Sequence, residues 1–165
     1  MVNDELQLLS GIENSTKEDE LFMREALKEA AAAAELGEVP VGAVIVIDGE
    51  IIARTHNRVE LNHASTAHAE LLALEEAERA LNAKWLTDAT MYVTLEPCSM
   101  CAGAMVLARM KRLVIGTPDP KTGACGSLLN VAANDGLNHR IDTTIGVLKD
   151  ECSGILKDFF RKRRG

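Results

Sequence analysis

Cys98 and Cys101 stand three residues apart directly after Pro97, within Glu96-Pro-Cys-Ser-Met-Cys-Ala-Gly103. Thiols at that spacing can form a structural clamp, cycle as a redox pair, or hold a soft metal. Proline suits the first turn of a helix, where its missing N–H would have no partner. With Pro97 opening such a turn, Cys98 and Cys101 share one helix face as i and i+3, and the positive end of the helix dipole favours both as thiolates. Two sulfurs do not close a tetrahedral site, so a third ligand is expected from elsewhere. The candidates are His56, His63, His68 and His139. His68 is set apart by its surroundings, Thr66-Ala-His-Ala-Glu70, which place a carboxylate two residues on at the expected start of a helix. Residues i and i+2 do not share a helix face. The pair makes sense if a site wraps around the first turn, with His68 on the metal and Glu70 reaching a water beside it. Three protein ligands with one open position is the zinc arrangement of catalysis, whereas structural zinc is closed by four. Cys125, in a loop, is the rival fourth ligand. Cys152 falls in a helical stretch, where a buried thiol is the ordinary reading.

The elements that must position these residues alternate along the chain. Strong helix formers run from about Glu18 to Leu36, including Ala30–Ala34, and Gly37 supplies a stop. The β-branched runs Gly42–Ile47 and Ile51–Thr55 flank a turn at Asp48-Gly49-Glu50 and predict a hairpin. A polar loop, His56–Thr66, leads to a helix over Ala67–Leu81 and a strand over Met91–Leu95, with the cysteine motif immediately after it. Ala102–Arg109 is helical, Arg112–Gly116 a strand, Thr144–Leu148 a weaker strand and Asp150–Arg164 a final helix. This order predicts an α/β fold, a mixed sheet of about five strands with helices on both faces. Such sheets keep their chemistry at strand ends and helix starts, where the motifs fall.

Composition narrows the setting. The 165 residues suit about one domain, and 47% hydrophobic residues supply a core. No stretch approaches the roughly 20 apolar residues of a membrane helix, and the acidic start lacks the basic-then-apolar pattern of a signal peptide. A cytoplasmic protein with no membrane partner is expected, and in that compartment a close cysteine pair points to metal or catalysis. Residues 1–39 hold ten acids and three bases, which accounts for the whole net charge of −7. The remainder balances, with its cations clustered at Arg109, Lys111 and Arg112 and at Arg161, Lys162, Arg163 and Arg164. The terminal cluster fits a solvated helix end whose cations offset the helix dipole, or a phosphate-binding edge.

His-x-Glu followed by Pro-Cys-x-x-Cys is the signature of zinc nucleobase deaminases. Beyond it, Glu38–Val46, His56-Asn-Arg58, Thr66–Glu70, Asp88–Met105, Asp119–Leu128, Asn138-His-Arg140 and Asp158–Arg164 resemble, in order and spacing, the bacterial tRNA-specific adenosine deaminases. These form a branch of the cytidine deaminase superfamily. The resemblance covers about Glu18 to Gly165 as a single deaminase domain, and leaves residues 1–17 as a polar, acidic extension expected to be mobile.

The resemblance implies a three-layer cytidine deaminase-like fold, one Zn2+ per subunit, and hydrolysis of adenosine to inosine at the wobble position of tRNA. It implies that Glu70 moves protons and that Asn57 bonds the flipped base. Val41 and Ala67 would wall the base pocket, and Asp119 and Lys121 would lie beside the sugar and backbone. The basic end, Arg161–Arg164, could then meet phosphates of the anticodon stem-loop, with Phe159 or Phe160 near a loop base. A homodimer is implied and no nucleotide cofactor is expected; the apolar run Met100, Ala104, Met105, Leu107 and Ala108 would suit either an interface or the core. The alternatives are a zinc deaminase of free guanine, cytosine or a nucleotide, and a non-enzymatic module with structural zinc or a redox pair.

Overall fold

The computed structural model describes the backbone of residues 2–164 and the side chains of residues 17–164. In order, the elements are α1 (Val2–Glu35), β1 (Gly42–Ile47), β2 (Glu50–His56), α2 (Val59–Asn62), α3 (Ala69–Leu81), β3 (Thr90–Leu95), α4 (Ser99–Leu107), β4 (Arg112–Thr117), β5 (Asp142–Ile145) and α5 (Lys149–Arg164). The five strands form one sheet in the order β2-β1-β3-β4-β5. β1 runs antiparallel to β2 and β3, and β3, β4 and β5 are mutually parallel, so the sheet is mixed as expected.

Alternation along the strands divides the core in two, because successive side chains on a strand point to opposite faces. Ala43, Ile45, Met91, Val93, Leu113 and Ile115 pack with Ala73, Leu74 and Ala77 of α3 and Ala102, Met105 and Val106 of α4. Val44, Val46, Tyr92 and Val114 pack instead with Met23 and Ala26 of α1 and Cys152 of α5. Both sheet faces are therefore apolar and covered by helices, giving three layers of α/β type.

The alanine-rich stretch of α1 has a packing reason. Ala26, Ala30 and Ala33 are buried, and their small size lets the helix backbone settle onto β1. At the contact stands Gly42, where any Cβ would overlap the Ala26 carbonyl oxygen and lie 2.6 Å from the Ala30 nitrogen. α1 is also pinned by charge. Arg112 donates to both oxygens of Asp19 at 2.7 Å, and the Tyr92 hydroxyl donates to the same carboxylate at 2.9 Å. A bidentate pair of this kind fixes orientation as well as distance.

The structure departs from the sequence expectations in several places. α1 is recorded from Val2 rather than Glu18, and the proposed extension, residues 1–17, falls almost wholly outside the described side chains. The hairpin turn is two residues, Asp48 and Gly49, both with positive φ (50° and 78°), since that twist matches the flanking strands. β5 lies at Asp142–Ile145, upstream of Thr144–Leu148, because Arg112 pairs with Asp142, and Gly146 and Leu148 then turn to positive φ ahead of α5. α2 sits inside the expected polar loop. It buries none of its residues, so it leaves no apolar periodicity to read. Pro97 stands one place before the Cys98 cap of α4 and does not open its first turn.

Gly42→Ala should lower the unfolding free energy by about 1–3 kcal/mol, as overpacked sites do, read from urea denaturation.

Candidate active site

Two helix starts converge at the carboxyl ends of β3 and β4. α3 begins with His68 as its cap residue, in extended conformation (φ −76°, ψ 148°), and α4 begins with Cys98 in the same way (φ −74°, ψ 175°). Cys101 lies on the first turn of α4 and is fully buried. His68 Nδ1 is 3.6 Å from Cys98 Sγ and 3.5 Å from Cys101 Sγ, and all three donors lie within 4.8 Å of one another. A tetrahedral metal with sulfur at about 2.3 Å and nitrogen at about 2.0–2.1 Å would set nitrogen–sulfur edges of about 3.6 Å. The donor set and its spacing fit such an ion, and two helix N-termini favour the thiolates.

The two thiols divide a proton between them. The hydrogen bond from Cys101 pushes Cys98 down to about 5, despite burial. The same contact, reinforced by burial, pushes Cys101 far up. Cys125, the sequence's rival for a fourth ligand, is buried in the core and is not part of the donor cluster among the described residues. Burial pushes its thiol up to about 12. Cys152 is likewise buried and packs against Gly116 of β4.

Glu70 is the second residue of α3 and only 4% exposed. Burial pushes its carboxyl up, against its own backbone N–H and the neighbouring His68. A carboxyl raised in this way holds a proton more readily than a solvated one, which suits a group that takes and gives protons.

Beside these groups is a cavity of about 280 Å³ whose wall includes Val41, Asn57, His68, Glu70, Glu96, Cys98, Asp119 and Arg163. Asn57 is 8% exposed. Its Nδ2 donates to the Val39 carbonyl at 3.3 Å, and its Oδ1 accepts from Val59 N–H at 3.3 Å. One N–H and one lone pair remain for a ligand. The Asp119 carboxylate accepts from Lys121 N–H and from Thr122 N–H and hydroxyl, so it shapes its own loop. Lys121 is exposed and lies outside the cavity wall, as does Ala67, which is buried and accepts from Arg58 N–H. Of the terminal cations only Arg163 reaches the cavity wall. It donates to the Gly37 carbonyl at 2.8 Å and stacks 4.8 Å above the Phe159 ring. Arg161 pairs with Asp158, Arg164 turns back to the Phe160 carbonyl, and both they and Lys162 are exposed.

Sequence reasoning passed over two buried carboxylates in this wall. Glu38 is 1% exposed and accepts from Glu60 and Leu61 N–H at 3.2 and 2.6 Å, capping α2. Glu96 is 2% exposed. Burial pushes its carboxyl up, but bonds from the Ser127 hydroxyl and from the N–H groups of Cys125, Asp119 and Ser127 outweigh it and hold the group below its usual range. Both sit in the quoted motifs. No local signal separates them from solvated glutamates, because their partners are distant backbone N–H groups.

A three-layer α/β fold with a histidine, two cysteines and a buried glutamate at its strand ends defines a deaminase of the cytidine deaminase-like fold. The family profile of MafB19-like deaminases matches residues 17–164. The chain is 54% identical over 147 residues to the tRNA-specific adenosine deaminase of Bacillus subtilis (strain 168), covering 89% of this chain and 91% of that one. It is 48% identical over 145 residues to that of Aquifex aeolicus (strain VF5), covering 88% and 95%. A solved structure from work on A-to-I editing by tRNA:A34 deaminases at the wobble position of transfer RNA superposes with a TM-score of 0.79 at 44% identity, covering 82% of this chain and 98% of that one. The chain belongs to the tRNA-specific adenosine deaminase family.

Because Cys98 is already a thiolate at pH 7 and Cys101 is not, loading metal-free protein with zinc should release about one proton per ion, measured by calorimetry in buffers of different ionisation enthalpy.

Proposed function

We propose that this protein hydrolyses adenosine to inosine at the wobble position of tRNA, at one zinc ion per subunit held by His68, Cys98 and Cys101. The observation that carries this is a buried, protonatable Glu70 beside a three-donor cluster in the wall of a cavity sized for one base. Bound zinc supplies acidity, lowering the pKa of a water toward about 7. Glu70 takes a proton from the attacking water at its carboxylate and hands it to the ring nitrogen beside the reacting carbon. It then helps protonate the departing amino group, so that water and adenosine become inosine and ammonia. Asn57 holds the base through its spare N–H and lone pair, with Val41 in the wall beside it. Ala67, Asp119 and Lys121 act around the pocket and the nucleotide backbone, the first two as buried or loop-shaping supports.

A pocket of about 280 Å³ requires a base drawn out of its stack, which anticodon loops permit. The RNA backbone passes along α5, a reading supported by Arg163 at the cavity wall and by the exposed cations Arg161, Lys162 and Arg164 beside it. Phe160, 43% exposed, is the aromatic available to a loop base, whereas Phe159 is buried.

The protein works as a homodimer with no nucleotide cofactor. Supporting the dimer, α4 bears no charged residue. Its Met105 is buried in the core, while Leu107 is 78% exposed and Met100 and Ala104 are half-buried. A large apolar side chain left open on a helix without charges calls for cover. The working unit is one deaminase domain over residues 18–165 with residues 1–17 as an appendage. It acts in the cytoplasm, where tRNA is found; among the described residues no helix is long and apolar enough to cross a membrane.

Glu70→Ala should keep its zinc and lose inosine formation on anticodon stem-loop RNA by roughly 10²–10⁴-fold, while Cys125→Ser keeps both metal and activity. Metal analysis and inosine quantification check this. Ammonia released from free guanine or cytidine, with the RNA untouched, would overturn the assignment of substrate.

A further inference from the structure

Glu96 immediately precedes Pro97 and the Cys98 metal donor, yet neither metal binding nor proton transfer uses it. Both of its oxygens are taken by the loop that follows β4. Oε1 accepts from Asp119 N–H at 3.1 Å and from the Ser127 hydroxyl. Oε2 accepts from Cys125 N–H at 3.0 Å and Ser127 N–H at 3.1 Å. Next along the chain, the Pro97 carbonyl accepts from Ala124 N–H at 2.9 Å. The loop thus grips residues 96 and 97, and residue 98 is a metal donor.

The fit is tight. A Cβ at Gly123 would overlap both the Glu96 carboxylate and the Asp119 carbonyl oxygen, so only glycine allows the loop to close this far. Within the loop, Gly123 N–H bonds Asp119 O at 2.9 Å, and Leu128 N–H bonds Gly123 O at 3.0 Å. Asp119 and Thr122 of this loop line the cavity. Asp119 shapes the loop from within, and Glu96 fixes where the finished loop sits. A buried carboxylate with several donors is costly to leave half-satisfied, so while Glu96 is present the loop has one favoured seat.

We infer that Glu96 is a positioning residue: it sets the register between the metal-donor turn and the loop Asp119–Ser127, and through that loop governs how tightly the nucleotide is held. The Glu-Pro-Cys motif then serves two purposes, Cys98 toward the metal and Glu96-Pro97 toward the substrate loop. The inference rests on the proposed reaction for its choice of substrate, and on geometry for everything else.

The test uses the zinc-loaded enzyme with Glu96→Gln, and with Gly123→Ala, which presses on the same contact from the loop side should Glu96→Gln fold poorly. Both should retain zinc. The KM for anticodon stem-loop RNA should rise about tenfold or more while kcat changes by less than about threefold, since small misplacements of binding groups weaken substrate capture. Backbone hydrogen exchange should quicken at Asp119, Cys125 and Ser127 and stay slow through α3 and α4. Loss of zinc, a fall in kcat at unchanged KM, or unaltered exchange in the loop would overturn the inference. Were the wild type inactive on the RNA, the proposed function would fall. Exchange in Glu96→Gln would still decide the positioning role.

Discussion

The donor triangle of His68, Cys98 and Cys101 depends on two helices starting at the same edge of one sheet. His68 is 30 residues from Cys98 in the chain. They meet because α3 precedes β3 and α4 follows it, so that both N-termini are delivered to one corner. The consequences are electrostatic as well as geometric. Two sets of unpaired helix N–H groups face the same space and favour negative charge there, which suits thiolates and a carboxylate. Any shift of α3 against α4 would stretch the edges of the triangle. The shared apolar layer of Ala73, Leu74, Ala102 and Met105 beneath them holds that spacing.

Three buried glutamates surround the cavity, and what satisfies each one separates their work. Glu38 spends its oxygens on the start of α2, which carries the wall next to Asn57. Glu96 spends four bonds on the loop after β4. Burial dominates at Glu70 and raises its pKa, whereas hydrogen bonds dominate at Glu96 and lower it. The same residue type therefore gives a carboxyl that holds a proton readily in one place and a fixed, charged acceptor beside the cysteines in another. The difference lies in the number of N–H donors aimed at each carboxylate.

Charge is arranged on a larger scale in the same sense. The excess acid lies in residues 1–39, while the cations of α5 collect at its C-terminal turn, where they also offset the helix dipole. Arg163 joins this edge to the cavity through Gly37 and Phe159. A net-acidic chain can thus present a basic face to a phosphate backbone, because screening makes local charge count for more than the total.

Much of the site could be read from local pattern. The Cys-x-x-Cys spacing, the His-x-Glu start and the strands flanking Asp48-Gly49 each carry their signal within a few residues. α2 could not be read, since it buries nothing, and the position of β5 could not, since its register is set by Arg112 of a neighbouring strand. The sequence by itself determined the residue types able to hold a metal and move a proton, and the alternation that makes a two-faced sheet, because spacing and periodicity are local properties. Tertiary structure alone decided how close His68, already singled out by the sequence, comes to the cysteines, that Cys125 stays in the core, and that Glu38 and Glu96 accept bonds from distant backbone. Those outcomes depend on burial and on N–H groups contributed by distant segments, which exist only once the helices have packed on the sheet.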